Sequence, residues 1–136
     1  MRLKAYSDGA SRGNPGKSAI AFKITTEDGR LLEMHSSYIG IRTNNQAEYE
    51  ALISELNCAL RLTNDRVSCY LDSELVVKQL NGGYKVKDPE LKTLWCKVQV
   101  LKRKFKTVTF THIPRTNPNI EEVDILVNSA LDREKN

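Results

Sequence analysis

The sequence predicts an α/β domain built on a five-stranded mixed sheet flanked by helices, with three antiparallel strands first and parallel strands after them. Three observations carry that reading. Residues 1–40 hold three alternating, strand-like runs separated by turn residues. Residues 45–62 place Ala51, Leu52, Leu56 and Ala59 on one helical stripe. Two of the strands, 1–8 and 67–72, run into an aspartate, Asp8 and Asp72.

Residues 1–8 set Leu3, Ala5 and Ser7 against Lys4 and Tyr6, the period of a strand. Residues 9–17, with Gly9, Gly13, Pro15 and Gly16, form a predicted glycine loop where backbone can approach a ligand closely. A second strand covers 18–25, Glu27-Asp28-Gly29-Arg30 makes a tight turn, and a third strand covers 31–40. Thr43, Asn44 and Asn45 can each cap the helix predicted over about 45–62, which places Glu48 in its first turn at the head of the apolar stripe. There a carboxylate is either favoured by the helix dipole, by roughly 0.3–1 kcal/mol, or committed to a partner or a metal, because burying it alone is costly. Glu55 lies near the same face.

After a turn at Asn64-Asp65, strand 67–72 leads into a short helix, 73–80, stopped by Asn81-Gly82-Gly83. Pro89 suits the first turn of a helix extending to about Phe105. Strand 108–113 follows, then an irregular loop, 115–119, flanked and filled by Pro114 and Pro118. A helix over 121–133 bears Val123, Leu126, Val127 and Ala130, and the polar residues after it are expected to fray.

A chain of 136 residues is long enough for one domain with a real core, and no repeat, biased tract or linker divides it, so 1–136 reads as a single domain. No apolar run reaches membrane-spanning length and no signal-peptide core is visible, so a cytoplasmic monomer is expected, without membrane contact. Cys58, Cys69 and Cys96 lack Cys-x-x-Cys spacing and are expected to be reduced, buried and structural; His35 and His112 stand too far from them to suggest zinc. The net charge is +4, but between Lys78 and Lys106 nine bases face only Asp88 and Glu90. Such a skew suits a polyanion such as nucleic acid, against the alternative of a solvated helix face.

A helical crossover between the first and fourth strands would make them parallel neighbours, about 4.8 Å apart. Asp8 and Asp72 would then stand side by side at the carboxyl end of the sheet, where α/β folds bind ligands. Glu48, on the crossover helix, can project into the same place. Adjacent carboxylates repel unless a cation separates them, and hard oxygen ligands suit Mg²⁺.

Four segments carry a family resemblance: Tyr6-Ser-Asp8-Gly-Ala-Ser-Arg-Gly-Asn-Pro-Gly16, Thr43-Asn-Asn-Gln-Ala-Glu48-Tyr-Glu-Ala-Leu52, Leu71-Asp72-Ser-Glu-Leu-Val76 and Val123-Asp124-Ile-Leu-Val-Asn-Ser-Ala-Leu131. In their order and spacing they resemble the type 1 ribonucleases H, in the compact form without a basic handle, and they span nearly the whole chain. The resemblance implies the ribonuclease H-like fold and cleavage of the RNA strand of RNA/DNA hybrids to 5′-phosphate and 3′-hydroxyl ends. It implies Mg²⁺, with Mn²⁺ as a substitute, two ions in the substrate complex, and Asp8, Glu48, Asp72 and Asp124 as the metal-binding acids. By the same resemblance Gly9, Asn14, Asn44, Asn45, Gln46 and Ser73 match substrate-contacting positions and Thr43 a residue holding a phosphate of the DNA strand. Asp124 is expected to begin its helix, where Glu121 and Glu122 compete for the role; the Val-Asp-x-Leu-Val-Asn register selects Asp124.

Two features depart from the best-known bacterial pattern. The stretch from Leu80 to Asp88 is too short for a handle, so hybrid binding is expected to be weaker, with Lys97, Lys102, Arg103, Lys104 and Lys106 standing in for it in part. Where many members carry a mobile histidine before the last acid, Arg115 takes the auxiliary catalytic role in our assignment, and His112 is placed on the fifth strand or at its end. Double-stranded RNA stays open as a second substrate. A non-catalytic binding module on this fold would be marked by a lost acid, and none is lost; a domain cut from a reverse transcriptase is a further alternative.

Overall fold

The computed structural model describes residues 1–134. Strands β1 (Arg2–Gly13), β2 (Gly16–Thr26) and β3 (Leu31–Arg42) form an antiparallel meander; β4 (Arg66–Leu71) and β5 (Thr107–His112) join it in parallel, in the order β3-β2-β1-β4-β5. The helices are α1 (Asn44–Leu60), α2 (Glu74–Leu80), α3 (Pro89–Lys102) and α4 (Pro118–Arg133). The mixed five-stranded sheet is therefore as expected.

β1 is the central strand, and its alternation divides the interior into two cores. Leu3 and Ala5 join Phe22, Ile24, Leu52, Leu56, Val67 and Val98 under α1, α2 and α3, whereas Tyr6 joins Ala19, Ala21, Ile120, Val123 and Val127 under α4. Each large apolar side chain so buried contributes about 1.5–3 kcal/mol relative to exposure. Gln79 ties the helices of the first core together: it accepts from the Tyr49 hydroxyl at 2.8 Å, and its backbone carbonyl accepts from Trp95 Nε1 at 3.2 Å.

Several local expectations change. Residues 9–17 are not a loop, because β1 and β2 stay paired as far as Gly13 and Gly16, with only Asn14 and a cis Pro15 between them. Turn-forming residues mark the hairpin tip, where Gly13 takes φ +104°, but the ladder to β2 holds the rest extended. Helix α1 starts at Asn44 behind a Thr43 cap that exchanges hydrogen bonds with Gln46, so Glu48 lies in its second turn rather than its first. Helix α4 starts at Pro118, capped by Asn117, because proline at the first helical position loses no needed hydrogen bond. Asp124 is then the seventh residue of α4 rather than its start. Helix α3 ends at Lys102, and Cys96 on it is exposed, whereas Cys58 and Cys69 are buried. The expected fraying concerns mainly residues 135–136, outside the described residues.

Glu55 is fully buried in the first core and neither of its carboxylate oxygens has a hydrogen-bond partner. Burial holds its pKa well above the carboxylate range, and the nearby Cys69 thiol opposes this only weakly. A raised folded-state pKa favours folding below the unfolded value and works against it as pH climbs above that value. Glu55→Met should therefore stabilise the fold by about 1–3 kcal/mol near pH 8 and by less near pH 4.5. Urea melts of both proteins at the two pH values test this; an equal or smaller midpoint for the variant at pH 8 would count against it.

Candidate active site

Parallel pairing between β1 and β4 runs from Arg2 with Arg66 to Tyr6 with Tyr70, and extending that register by two residues sets Asp8 beside Asp72. Asp72 follows the last residue of β4. Asp8 does not end its strand; it sits where β1 loses its β4 neighbour while β2 still pairs with it, opposite Ala21. The residue is 1% exposed, in the notch that the end of β4 leaves.

Glu48 reaches this notch because α1 lies directly on Gly9. A Cβ at Gly9 would stand 2.2 Å from the Ala47 carbonyl oxygen and 2.7 Å from the Glu48 nitrogen, so any larger residue would lever the helix away. The Gly9 N–H donates to Glu48 Oε1 at 2.7 Å, which fixes that carboxylate. Asp8, Glu48 and Asp72 each then offer an oxygen within 4.8 Å of the others.

This arrangement is electrostatically incomplete. Asp8 Oδ2 and Glu48 Oε2 are buried without a hydrogen-bond partner. Burial, reinforced by Asp72 and Asp124, pushes the Asp8 pKa up to about 7 against a hydrogen bond with Glu48. Burial, followed by repulsion from Asp8, holds Glu48 well above the usual range. Unpartnered, all-oxygen donors at this spacing fit a hard divalent cation.

Arg115 meets the acids from the loop after β5. Its Nε donates to Asp72 Oδ2 at 3.0 Å and its Nη2 lies 4.0 Å from Asp124 Oδ1. Asp124, on α4, stands beside the three-acid cluster and adds to the charge felt by Asp8. His112 is the exposed last residue of β5, opposite Leu71, and is not among the groups meeting the acids.

Of the other positions, Asn14 and Asn44 clasp each other's elements: the Asn44 N–H donates to Asn14 Oδ1 at 3.0 Å, and the Ser11 N–H to Asn44 Oδ1 at 2.8 Å. Ser11 is a member of this clasp that the sequence did not suggest. Gln46 is used at both ends, accepting from the Thr43 N–H and donating to Glu90. Thr43 and Ser73 cap α1 and α2. Asn45 follows Asn44 in the first turn of α1. No handle lies between α2 and α3, which residues 81–88 join directly.

The raised Asp8 pKa has a sign that can be checked. Metal-free folded protein keeps a proton there that the unfolded chain has already released, so stability falls as pH rises from about 4 toward about 7. A cation held by the ionised acids would reverse this. Mg²⁺ should therefore raise the melting midpoint more at pH 8 than at pH 5.5, and Asp8→Asn should remove most of that rise. A Mg²⁺ response equal at both pH values in the wild type would contradict the assignment.

Comparison with known proteins agrees with this architecture. A family profile described as "Reverse transcriptase-like" matches residues 6–130. The structure superposes on crystalline RNase H1 from Halobacterium salinarum with a TM-score of 0.93 at 41% identity, covering 98% of this chain and 99% of that one. It matches LC11-RNase H1 in complex with an RNA/DNA hybrid at TM-score 0.90 and 40% identity, covering 97% and 98%. The N-terminal RNase H domain of the Mycobacterium tuberculosis protein Rv2228c gives 0.93 and 35%, covering 98% and 95%. Against full-length curated sequences the chain spans 65% of the Halobacterium ribonuclease HI and 36% of the bifunctional Mycobacterium protein. A matching profile over most of its length, near-complete superposition at this identity and an intact acidic triad place the chain in the type 1 ribonuclease H family.

Proposed function

We propose that this chain is a metal-dependent endoribonuclease that hydrolyses the RNA strand of RNA/DNA hybrids, leaving 5′-phosphate and 3′-hydroxyl ends. The observation that carries the reading is the cluster of Asp8, Glu48 and Asp72, two of them with buried, unpartnered oxygens, in a chain of this family. These three, with Asp124, would hold Mg²⁺, or Mn²⁺ in its place, and two ions in the substrate complex. Bound there, such cations make water more acidic and offset charge on a departing 3′ oxygen.

The chain's own residues prepare that chemistry. Gly9 holds Glu48 Oε1, leaving Oε2 for a cation. Asp8, ionised, would be one of the ligands of such a cation. Arg115 orients Asp72 and approaches Asp124, keeping two acids in position at the rim. Hydrolysis adds one water across a P–O3′ bond, the phosphorus gaining the hydroxide and the 3′ oxygen the proton. Gly9, Asn14, Asn44, Asn45, Gln46 and Ser73 are the substrate-side positions, and Thr43 a contact to a DNA-strand phosphate. The 2′-hydroxyl is the group that separates RNA from DNA at such a surface. The reading includes a cytoplasmic monomer; among the described residues no helix is long and apolar enough to cross a membrane.

End-labelled hybrid, single-stranded RNA, double-stranded RNA and duplex DNA, each with Mg²⁺, test this directly. Internal cuts confined to the RNA of the hybrid, and absent with Asp8→Asn, are expected. Cutting of double-stranded RNA as well would widen the substrate class. Hybrid binding without cleavage in either Mg²⁺ or Mn²⁺ would turn the protein into a binding module.

Arg115 and His112 can be separated in the same assay. Loss of a side chain that orients a metal-binding carboxylate typically costs about 10–100-fold, so Arg115→Ala should lose that much turnover while His112→Ala stays near wild type. Full activity in Arg115→Ala would remove it from the mechanism.

A further inference from the structure

We propose that the end of the sheet remote from the carboxylates is a second nucleic-acid-binding surface, in which Arg2, Arg66, Arg103, Lys104 and Lys106 hold a phosphodiester strand independently of the acid cluster. Helix direction places these bases. The first turn of α3 touches the start of α1 through Glu90 and Gln46, near the acids. Its C-terminus leads into Arg103, Lys104 and Lys106 at the other end, where the Lys106 N–H donates to the Asn64 carbonyl at 2.8 Å just before β4. From Arg66 to Asp72 the chain is extended over six residues, about 20 Å at ~3.3 Å per residue. The basic run therefore divides along α3, and Lys102, Arg103, Lys104 and Lys106, expected to stand in for a handle in part, lie toward the end of the sheet remote from the acids.

The strand starts supply the rest of the patch. Arg2 pairs in register with Arg66, and Arg66 with Thr107, the neighbour of Lys106. Arg2 and Arg66 thus stand about 4.8 Å apart on adjacent strands, and Lys106 immediately precedes the residue that pairs with Arg66 on the third. All five bases are exposed, and none forms an ion pair among the described residues. Asp65, the nearby acid, is engaged by the N-terminal amine at 3.3 Å. Like charges set opposite each other in a sheet oppose folding, so this patch works against the fold unless an anion offsets it. Beside it, Gln99, Lys102, Arg103, Lys106 and Thr107 line an open concavity of about 500 Å³ that offers donors to phosphate oxygens. A group of exposed cations with neutral donors suits a phosphate backbone, whose binding is driven by counterion release.

The probe is a fluorescein-labelled oligodeoxythymidylate, followed by anisotropy in EDTA, so the readout does not depend on cleavage. In the quadruple variant Arg66→Gln/Arg103→Gln/Lys104→Gln/Lys106→Gln the affinity should fall at least about tenfold, and the salt slope should fall by about 0.7 per lost phosphate contact. The variant should still cleave short RNA/DNA hybrid at the wild-type rate. Unchanged strand binding in the variant, or loss of hybrid cleavage in step with the loss of strand binding, would overturn the proposal. Failure of hybrid cleavage in the wild type would instead count against the activity proposed above and leave the strand measurement intact.

Discussion

The contact between Gly9 and Ala47 is the constraint on which the acidic cluster depends. With only hydrogens on the Gly9 Cα, the second turn of α1 rests against the backbone of β1, and the Gly9 N–H reaches Glu48. The same contact fixes where α1 lies over the first core, since Leu52 and Leu56 continue along the helix to pack on Leu3, Ala5 and Ile24. Packing and chemistry are therefore set by one interatomic approach, and no residue with a Cβ fits it without moving the helix.

β1 is asked to do two things that conflict. As the central strand it is covered on both faces, which favours apolar residues. Yet it carries Asp8 into that covered region at the point where β4 stops. Glu48 and Glu55 extend the conflict along α1, since both are buried with at least one unpartnered oxygen. The two cases differ in their surroundings. Glu48 faces other acids across an opening that a cation fits, whereas Glu55 faces a thiol in a closed core. The stability of the apolar layers is what allows these unfavourable groups to persist.

Much of this was legible in the sequence because it rests on short-range periodicity. Alternation in β1 and β4 and a helix between them were enough to set Asp8 beside Asp72. The apolar stripe of α1 was enough to bring Glu48 near. Asp124 came only through resemblance, since its position on α4 depends on a cap at Asn117 and a start at Pro118 that resembled loop residues. The extension of the β1–β2 ladder through residues 9–17 was hidden because glycine and proline report local turn preference, whereas a ladder is a non-local commitment. The ion pair of Arg115 with Asp72 joins residues far apart in sequence, and no spacing rule reveals it. The separation of the basic run needed the direction of α3, which charge counting along a chain does not contain.

The clasp between the β1–β2 hairpin and the start of α1 has a consequence for recognition. Asn14 and Asn44 each commit the side-chain carbonyl oxygen to a backbone N–H. Their amide orientation is thereby settled, since rotating either group would bring two donors together. What remains for a ligand is the NH₂ end of each. This corner of the molecule therefore presents two oriented NH₂ groups as donors. Minor-groove base edges present chiefly acceptors, purine N3 and pyrimidine O2, at every base pair. Donors fixed in this way would grip a duplex whatever its sequence, and would leave the choice of strand to the sugar.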